Sequence, residues 1–199
     1  MGVAAYAYMA AAQAADYKNN VDQKVDVAVA KEAEKISTQK EKDFAEKEKY
    51  PYDTYVGTDA TGSLKLVYPK TWSAYVIAPE GKVNSKPLEA WFQPGQVPSV
   101  SDENNSFALR VTVAQTSYDS AVKSFQSAQK SGKVTVQPYQ SPNVPSVIGV
   151  RVDGEVVSKK QGSMVILPFR DKTLKMWTES TDLRGDFNDI ILKNFTLNP

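Results

Sequence analysis

The chain is expected to be an α+β protein, an antiparallel sheet covered by helices and preceded by a long N-terminal helix. Three observations carry this reading. From Asp16 to Lys49 there is neither Gly nor Pro, and charges of both signs crowd in, as in a solvated helix. From residue 62 onward, short apolar and polar alternations rich in Val, Tyr and Trp are punctuated by Gly and Pro, the pattern of strands and turns. Two later stretches, 117–132 and 182–191, space their apolar residues three and four apart, as helices packed on a sheet do. The expected organisation is a partial membrane anchor (1–15), a helical stalk (16–50) and a globular α+β domain (51–199).

Composition removes several chemistries. The 199 residues include no Cys and no His, so a Ser-His-Asp triad, a Cys nucleophile and the usual zinc sites are excluded. The lack of Cys suits the cytosol and equally the exterior of bacteria that do without disulfides. With 24 basic and 23 acidic residues the net charge is +1, and basic and aromatic residues do not interleave, so no nucleic-acid partner is expected. No Gly-rich phosphate motif occurs, and no cofactor is expected. A hydrophobic fraction of 41% is enough for one core plus an appendage.

Residues 3–15, VAAYAYMAAAQAA, are uncharged but shorter than the roughly 20 apolar residues of a spanning helix. They read as the outer half of an anchor whose inner half lies upstream, with Tyr6 and Tyr8 as interfacial aromatics. The plainer alternative is an Ala-rich helix packed on another surface. Tyr17, Val21, Val25 and Val29 continue as a narrow stripe, and beyond Lys31 apolar positions nearly vanish. The heptad pattern is not sustained, so the segment reads as a stiff spacer rather than a coiled coil, ended by Pro51.

In the globular part, GSLKLVYPKTWSAYVI places Leu64, Leu66 and Tyr68 on one strand face. Pro69 to Thr71 then make a corner, and Trp72, Ala74 and Val76 alternate with Ser73, Tyr75 and Ile77, which predicts a hairpin. APEGKVNSKP is a loop by composition. LEAWFQP predicts a third strand with Trp91 and Phe92 on opposite faces, followed by a polar loop from Gln96 to Ser106. FALRVTVAQ alternates cleanly, with Phe107, Leu109, Val111 and Val113 on one face and Arg110 and Thr112 on the other. Ser117 is the expected N-cap of a helix carrying Tyr118, Ala121, Val122, Phe125 and Ala128, closed by Gly132. A strand near Lys133 and a Pro-rich link lead to SVIGVRV and EVV, joined by an expected turn at Asp153 and Gly154. GSMVILPF and TLKMWTES make a hairpin across RDK. Asp182 is expected to cap a last helix carrying Leu183, Phe187, Ile190 and Ile191, and NFTLNP to close as a short strand.

This element order, with YPKTWSAYV at its opening and FNDIILKNFTL at its close, resembles the PsbP-like (Mog1-like) α-β-α sandwich domains over residues 54–198. Tyr68, Pro69 and Trp72 match the opening pattern, and Phe187, Ile190, Ile191 and Phe195 the closing one, in both places as core and corner residues rather than a site. The resemblance implies a sheet between helical layers. Domains of this kind serve different partners, so it implies no activity. With its stalk, the whole chain is also similar to membrane-anchored proteins of very small host-dependent bacteria, a likeness that brings no activity either.

Among candidate sites, Asp102 and Glu103 in SDENNS offer oxygen ligands but lack the spacing and glycine of a calcium loop, so no metal site is expected. Lys159 and Lys160 read as an exposed turn rather than a phosphate cradle. Tyr75, Trp91 and Phe92 are the candidate partner surface, because alternation forces some large rings outward and exposed aromatics favour interfaces. The alternative is that helices on both faces bury them. The expected function is a non-catalytic, membrane-anchored, extracytoplasmic binding or surface module, held by its N-terminal helix, with a protein or glycan partner in the cell envelope. The alternative is a carboxylate-dependent enzyme acting on glycans or cell wall, which needs two carboxylates facing each other in a cleft.

Overall fold

A computed structural model describes Val25 and residues 28–43, 51–61, 63–77 and 88–198. The chain divides between Tyr50 and Pro51 into two units. In the first, helix α1 (28–43) is exposed along its described length, and Val25, Val29 and Ile36 are each at least half open to solvent. Its side-chain bonds are local: Lys35 pairs with Glu32 at 3.5 Å, and Gln39 Nε2 donates to Asp43 Oδ1 at 2.8 Å. Such pairs stabilise a helix by about 0.2–0.5 kcal/mol each. The expected anchor and both ends of the stalk lie outside the described residues. Among the described residues no helix is long and apolar enough to cross a membrane.

The second unit is mostly antiparallel sheet with a few short helices. Strands β3 (Trp72–Ile77), β4 (Leu88–Pro94), β5 (Leu109–Ala114), β6 (Val134–Ser141), β7 (Val144–Val157), β8 (Lys160–Phe169) and β9 (Lys172–Thr178) form one sheet in the order β3-β4-β5-β9-β8-β7-β6. After β5 the chain crosses through helices α2 (Tyr118–Lys123) and α3 (Gln126–Lys130) to the far edge, then steps back strand by strand until β9 pairs with β5. A separate two-stranded ladder joins β1 (Tyr52–Val56) to β2 (Lys65–Pro69), and Thr196 bridges to Lys65 beside it. The chain closes in one irregular helix: α4 (Arg184–Asp186), a π-helical turn (Phe187–Ile191) and α5 (Leu192–Asn194).

Several elements follow the sequence closely. On β5, Leu109, Val111 and Val113 are buried while Arg110 and Thr112 are only partly so. Ser117 caps α2, its side chain accepting from the Ser120 N–H. Gly132 ends α3 with a φ of 73°; its N–H donates to Gln129 O at 3.1 Å and the Lys133 N–H to Ala128 O at 2.9 Å. Those two bonds satisfy carbonyls that a helix end would leave orphaned. The Arg170–Asp171 turn joins β8 to β9 as expected.

Other expectations are corrected. The corner at Pro69 does not close a hairpin: the Lys70 N–H donates to Pro51 O, completing the β1–β2 ladder, and Thr71 O accepts from the Gly95 N–H at the start of β3–β4. The corner therefore hands the chain from one sheet to the other. Asp153 and Gly154 are not a turn but lie inside β7, a 14-residue strand paired on both sides, and the β7–β8 turn falls at Ser158 and Lys159. Ladder bonds to two neighbours outweigh the local turn preference of the dipeptide. The Pro-rich link is strand: β6 runs through Pro138, which an edge strand tolerates because its outer N–H is not needed. The expected single helix is broken at Ser124 and Phe125. Asp182 caps nothing; Leu183 occupies the N-cap position of α4 without a side-chain bond.

Two apolar clusters hold the domain. The larger joins Leu64, Leu66, Trp72, Phe92, Leu109, Val111, Leu174, Met176, Phe187 and Phe195, so β2, the inner sheet strands and the closing helix share one core. The smaller packs Ala121 with Val134, Val152, Met164, Ile166 and Trp177, joined by Tyr118, Val122 and Phe125. Residues adjacent in sequence, such as Val165 and Ile166 or Met176 and Trp177, fall in different clusters, as the period of two requires. A polar network ties the closing helix to the sheet. Arg151 donates to Asp153 Oδ2 at 2.8 Å and Oδ1 at 3.0 Å, to Ser163 Oγ at 3.1 Å and to Asn188 Oδ1 at 2.7 Å, and the Ser163 hydroxyl donates to Asp153. Burial alone would raise the Asp153 carboxyl, but the bonds from Arg151 and Ser163 and the charges of Arg151 and Arg184 outweigh it and hold the group below the usual aspartate range.

Candidate functional site

Strand order and register together build one cross-strand row. Tyr75 pairs with Trp91, Trp91 with Arg110, Arg110 with Trp177 and Trp177 with Met164, so all five side chains stand on one sheet face. The Tyr75 and Trp91 rings lie 5.7 Å apart, and the Arg110 guanidinium sits 5.5 Å from the Trp91 ring and 4.7 Å from that of Trp177. A guanidinium between two indoles is held by cation–π attraction, at least about 0.5–1 kcal/mol for each ring.

Glu179, one residue past the end of β9, anchors the row from below. Its side chain has no exposure, and it accepts from four donors: Lys160 Nζ at 2.9 Å, Trp177 Nε1 at 3.0 Å, Arg110 Nη1 at 3.2 Å and the Phe107 N–H at 3.3 Å. A carboxylate fully removed from water is sustained only by such saturation. Lys160 Nζ also donates to Asn105 O, which ties the loop after β4 to the same knot.

Above Arg110 and Lys160 opens a cleft of about 770 Å³. The loop residues Asp102, Glu103, Asn104 and Ser106 form one wall, the β7–β8 turn with Ser158 and Lys159 forms the other, and Phe107 and Arg110 lie between. The loop is braced internally. Both the backbone N–H and the side-chain amide of Asn104 donate to Asp102 Oδ1 at 3.0 Å, and Asn105 Nδ2 donates to Ser99 O at 2.9 Å. Among the described residues, no group of three or more His, Cys, Asp or Glu is placed to hold a metal.

The structure separates the three aromatics singled out in the sequence. Tyr75 is 47% exposed at the outer end of the row, on edge strand β3. Trp91 and Phe92 are buried, which corrects their expected place at a surface: Trp91 stacks between Tyr75 and Arg110, and Phe92 packs on Tyr68 at 4.9 Å in the larger core. Of the lysine pair, Lys159 is the exposed turn residue expected, whereas Lys160 turns inward to Glu179. Arg110 and Glu179 were not legible as a site. The available signal was weak: a lone cation in the apolar run FALRVTV and an acid directly after MWT. No protein-family model matches this chain, and no curated protein matches it.

Proposed function

We propose that the chain is a non-catalytic binding module, carried on its helical stalk at a membrane with the domain on the extracytoplasmic side, and that the domain is an α-β-α sandwich of the PsbP-like kind. The fold reading is supported by the two apolar clusters, which take alternate residues of the same strands. The functional reading rests on one observation: the buried carboxylate beneath the cleft is committed to two cations and two N–H donors. A general acid must carry a proton and a nucleophile needs a free lone pair aimed at substrate. Glu179 is used instead to hold Arg110 and Lys160 in place. The two carboxylates that do line the cleft, Asp102 and Glu103, are chain neighbours on one wall, whereas glycoside hydrolysis needs a pair flanking the bond. The partner is a protein or a glycan of the cell envelope. The test of placement is fractionation of cells carrying the full-length gene, with protease added from outside. Recovery in the membrane fraction with the domain cut from outside is expected. A protein found only in the cytosol would contradict the anchored reading.

A further inference from the structure

The geometry points to an acidic saccharide, a sugar ring bearing a carboxylate such as a uronic acid, as what the cleft takes; this rests on the binding-module reading above. The floor carries two cations, Arg110 and Lys160, over one carboxylate, Glu179, while Asp102 and Glu103 stand on one wall and Lys159 on the other, so the cations lie at the base and the acids at the rim. Among the described residues, the one hydrogen bond of Arg110 uses Nη1 alone of its five N–H donors, and the guanidinium is fixed by Trp91 and Trp177 before any ligand arrives. A planar fork held in that way is preorganised for a carboxylate. Ahead of it stand groups suited to ring hydroxyls: Asp102, Glu103 and Asn104 on one wall, Ser158 across from them. The volume lies in the range that small-molecule sites occupy, roughly 300–1,000 Å³.

Two rival occupants fit less well. An extended peptide binds by adding to an open strand edge, but β5 and β8, which flank β9 near the cleft, are each paired on both sides. A polyphosphate would meet the acidic wall of Asp102 and Glu103. A sugar with a single carboxylate sets that one charge on the floor cations and only hydroxyls against Asp102 and Glu103.

The test is a titration of the 199-residue chain, followed by amide NMR signals, with D-glucuronate, D-glucose, acetate and N-acetylalanine in parallel. Saturable shifts confined to Asn104, Ser106, Phe107 and Lys160 are expected with glucuronate. Glucose and the two non-sugar carboxylates should bind more weakly by about tenfold or more, the worth of one charge-assisted hydrogen bond or of a set of hydroxyl contacts. Equal binding of N-acetylalanine, of acetate or of glucose would overturn the assignment, because either the ring or the charge would then contribute nothing. Arg110→Lys keeps the pairing with Glu179 but loses the fork, and an affinity drop of about tenfold is expected; an unchanged affinity would contradict it. Should that variant fail to fold, the double variant Ser106→Ala with Ser158→Ala, which leaves the charge of the cleft unchanged, decides: several-fold weaker binding supports the site, and unchanged binding refutes it. If glucuronate fails while the chain still retains envelope glycan, the acidic-sugar inference falls and the module reading stands. Depolymerisation of that glycan would remove the module reading itself.

Discussion

Glu179→Gln changes one proton's worth of charge and almost no volume, yet it leaves Arg110 and Lys160, with side chains 26% and 13% exposed, without their counter-ion. Breaking a buried pair from one side costs about 3–5 kcal/mol, so chemical denaturation of this variant should show a loss of that size. A loss under roughly 0.5 kcal/mol, the range of ordinary surface changes, would mean that the knot is solvated. Why this residue was not legible in the sequence is plain from its partners. Phe107 lies 72 positions away and Arg110 lies 69, and they meet Glu179 only because β9 inserts beside β5. The alternation that puts Arg110 opposite Leu109 and Val111 was readable; what lay under it was not.

At the scale of elements, β7 is where local preference and tertiary pairing disagree most. Gly154 has a φ of 129°, and a Cβ there would come 2.3 Å from the O of Lys133, the residue that leads into the neighbouring strand β6. Backbone strain alone costs roughly 1–3 kcal/mol, and the overlap adds to it, so Gly154→Ala should destabilise by at least that much in thermal or urea unfolding. A turn glycine facing open space would carry the backbone strain alone, without the overlap. Helix α2 and strand β5 were legible because their signals are periodic and self-contained, whereas the Pro69 corner was not, since only its hydrogen-bond partners Pro51 and Gly95 reveal that it joins two sheets. The network around Asp153 gives a pH prediction. Its carboxyl titrates below the usual aspartate value in the folded chain, so the folded state prefers the ionised form. The resulting stability is fully present above the unfolded-state value and is lost as pH falls through the depressed folded one. Asp153→Asn should therefore narrow its stability gap to the parent protein on acidification through that window, and a gap constant down to the acid limit would rule out the linkage.

Over the whole molecule, the larger core draws on β2, the sheet and the closing helix, all between Leu64 and Leu197. A chain beginning at Pro51 should accordingly unfold in one cooperative transition, with calorimetric and van't Hoff enthalpies in agreement. Aggregation, or a broad transition without a baseline, would show that residues before Pro51 supply part of the core. The α+β class could be read from periodicity alone. The strand order could not, because α2 and α3 carry the chain past three strand positions to the far edge, and nothing in the spacing of residues 117–132 states how far a crossover reaches. The central claim is that the cleft over Glu179 binds without cleaving. It is tested most directly by sedimenting the full chain with purified envelope polysaccharide while counting reducing ends in the same tube. Saturable co-sedimentation with no new reducing ends is the predicted result. Reducing ends that accumulate with time, and vanish in Glu103→Gln, would contradict it.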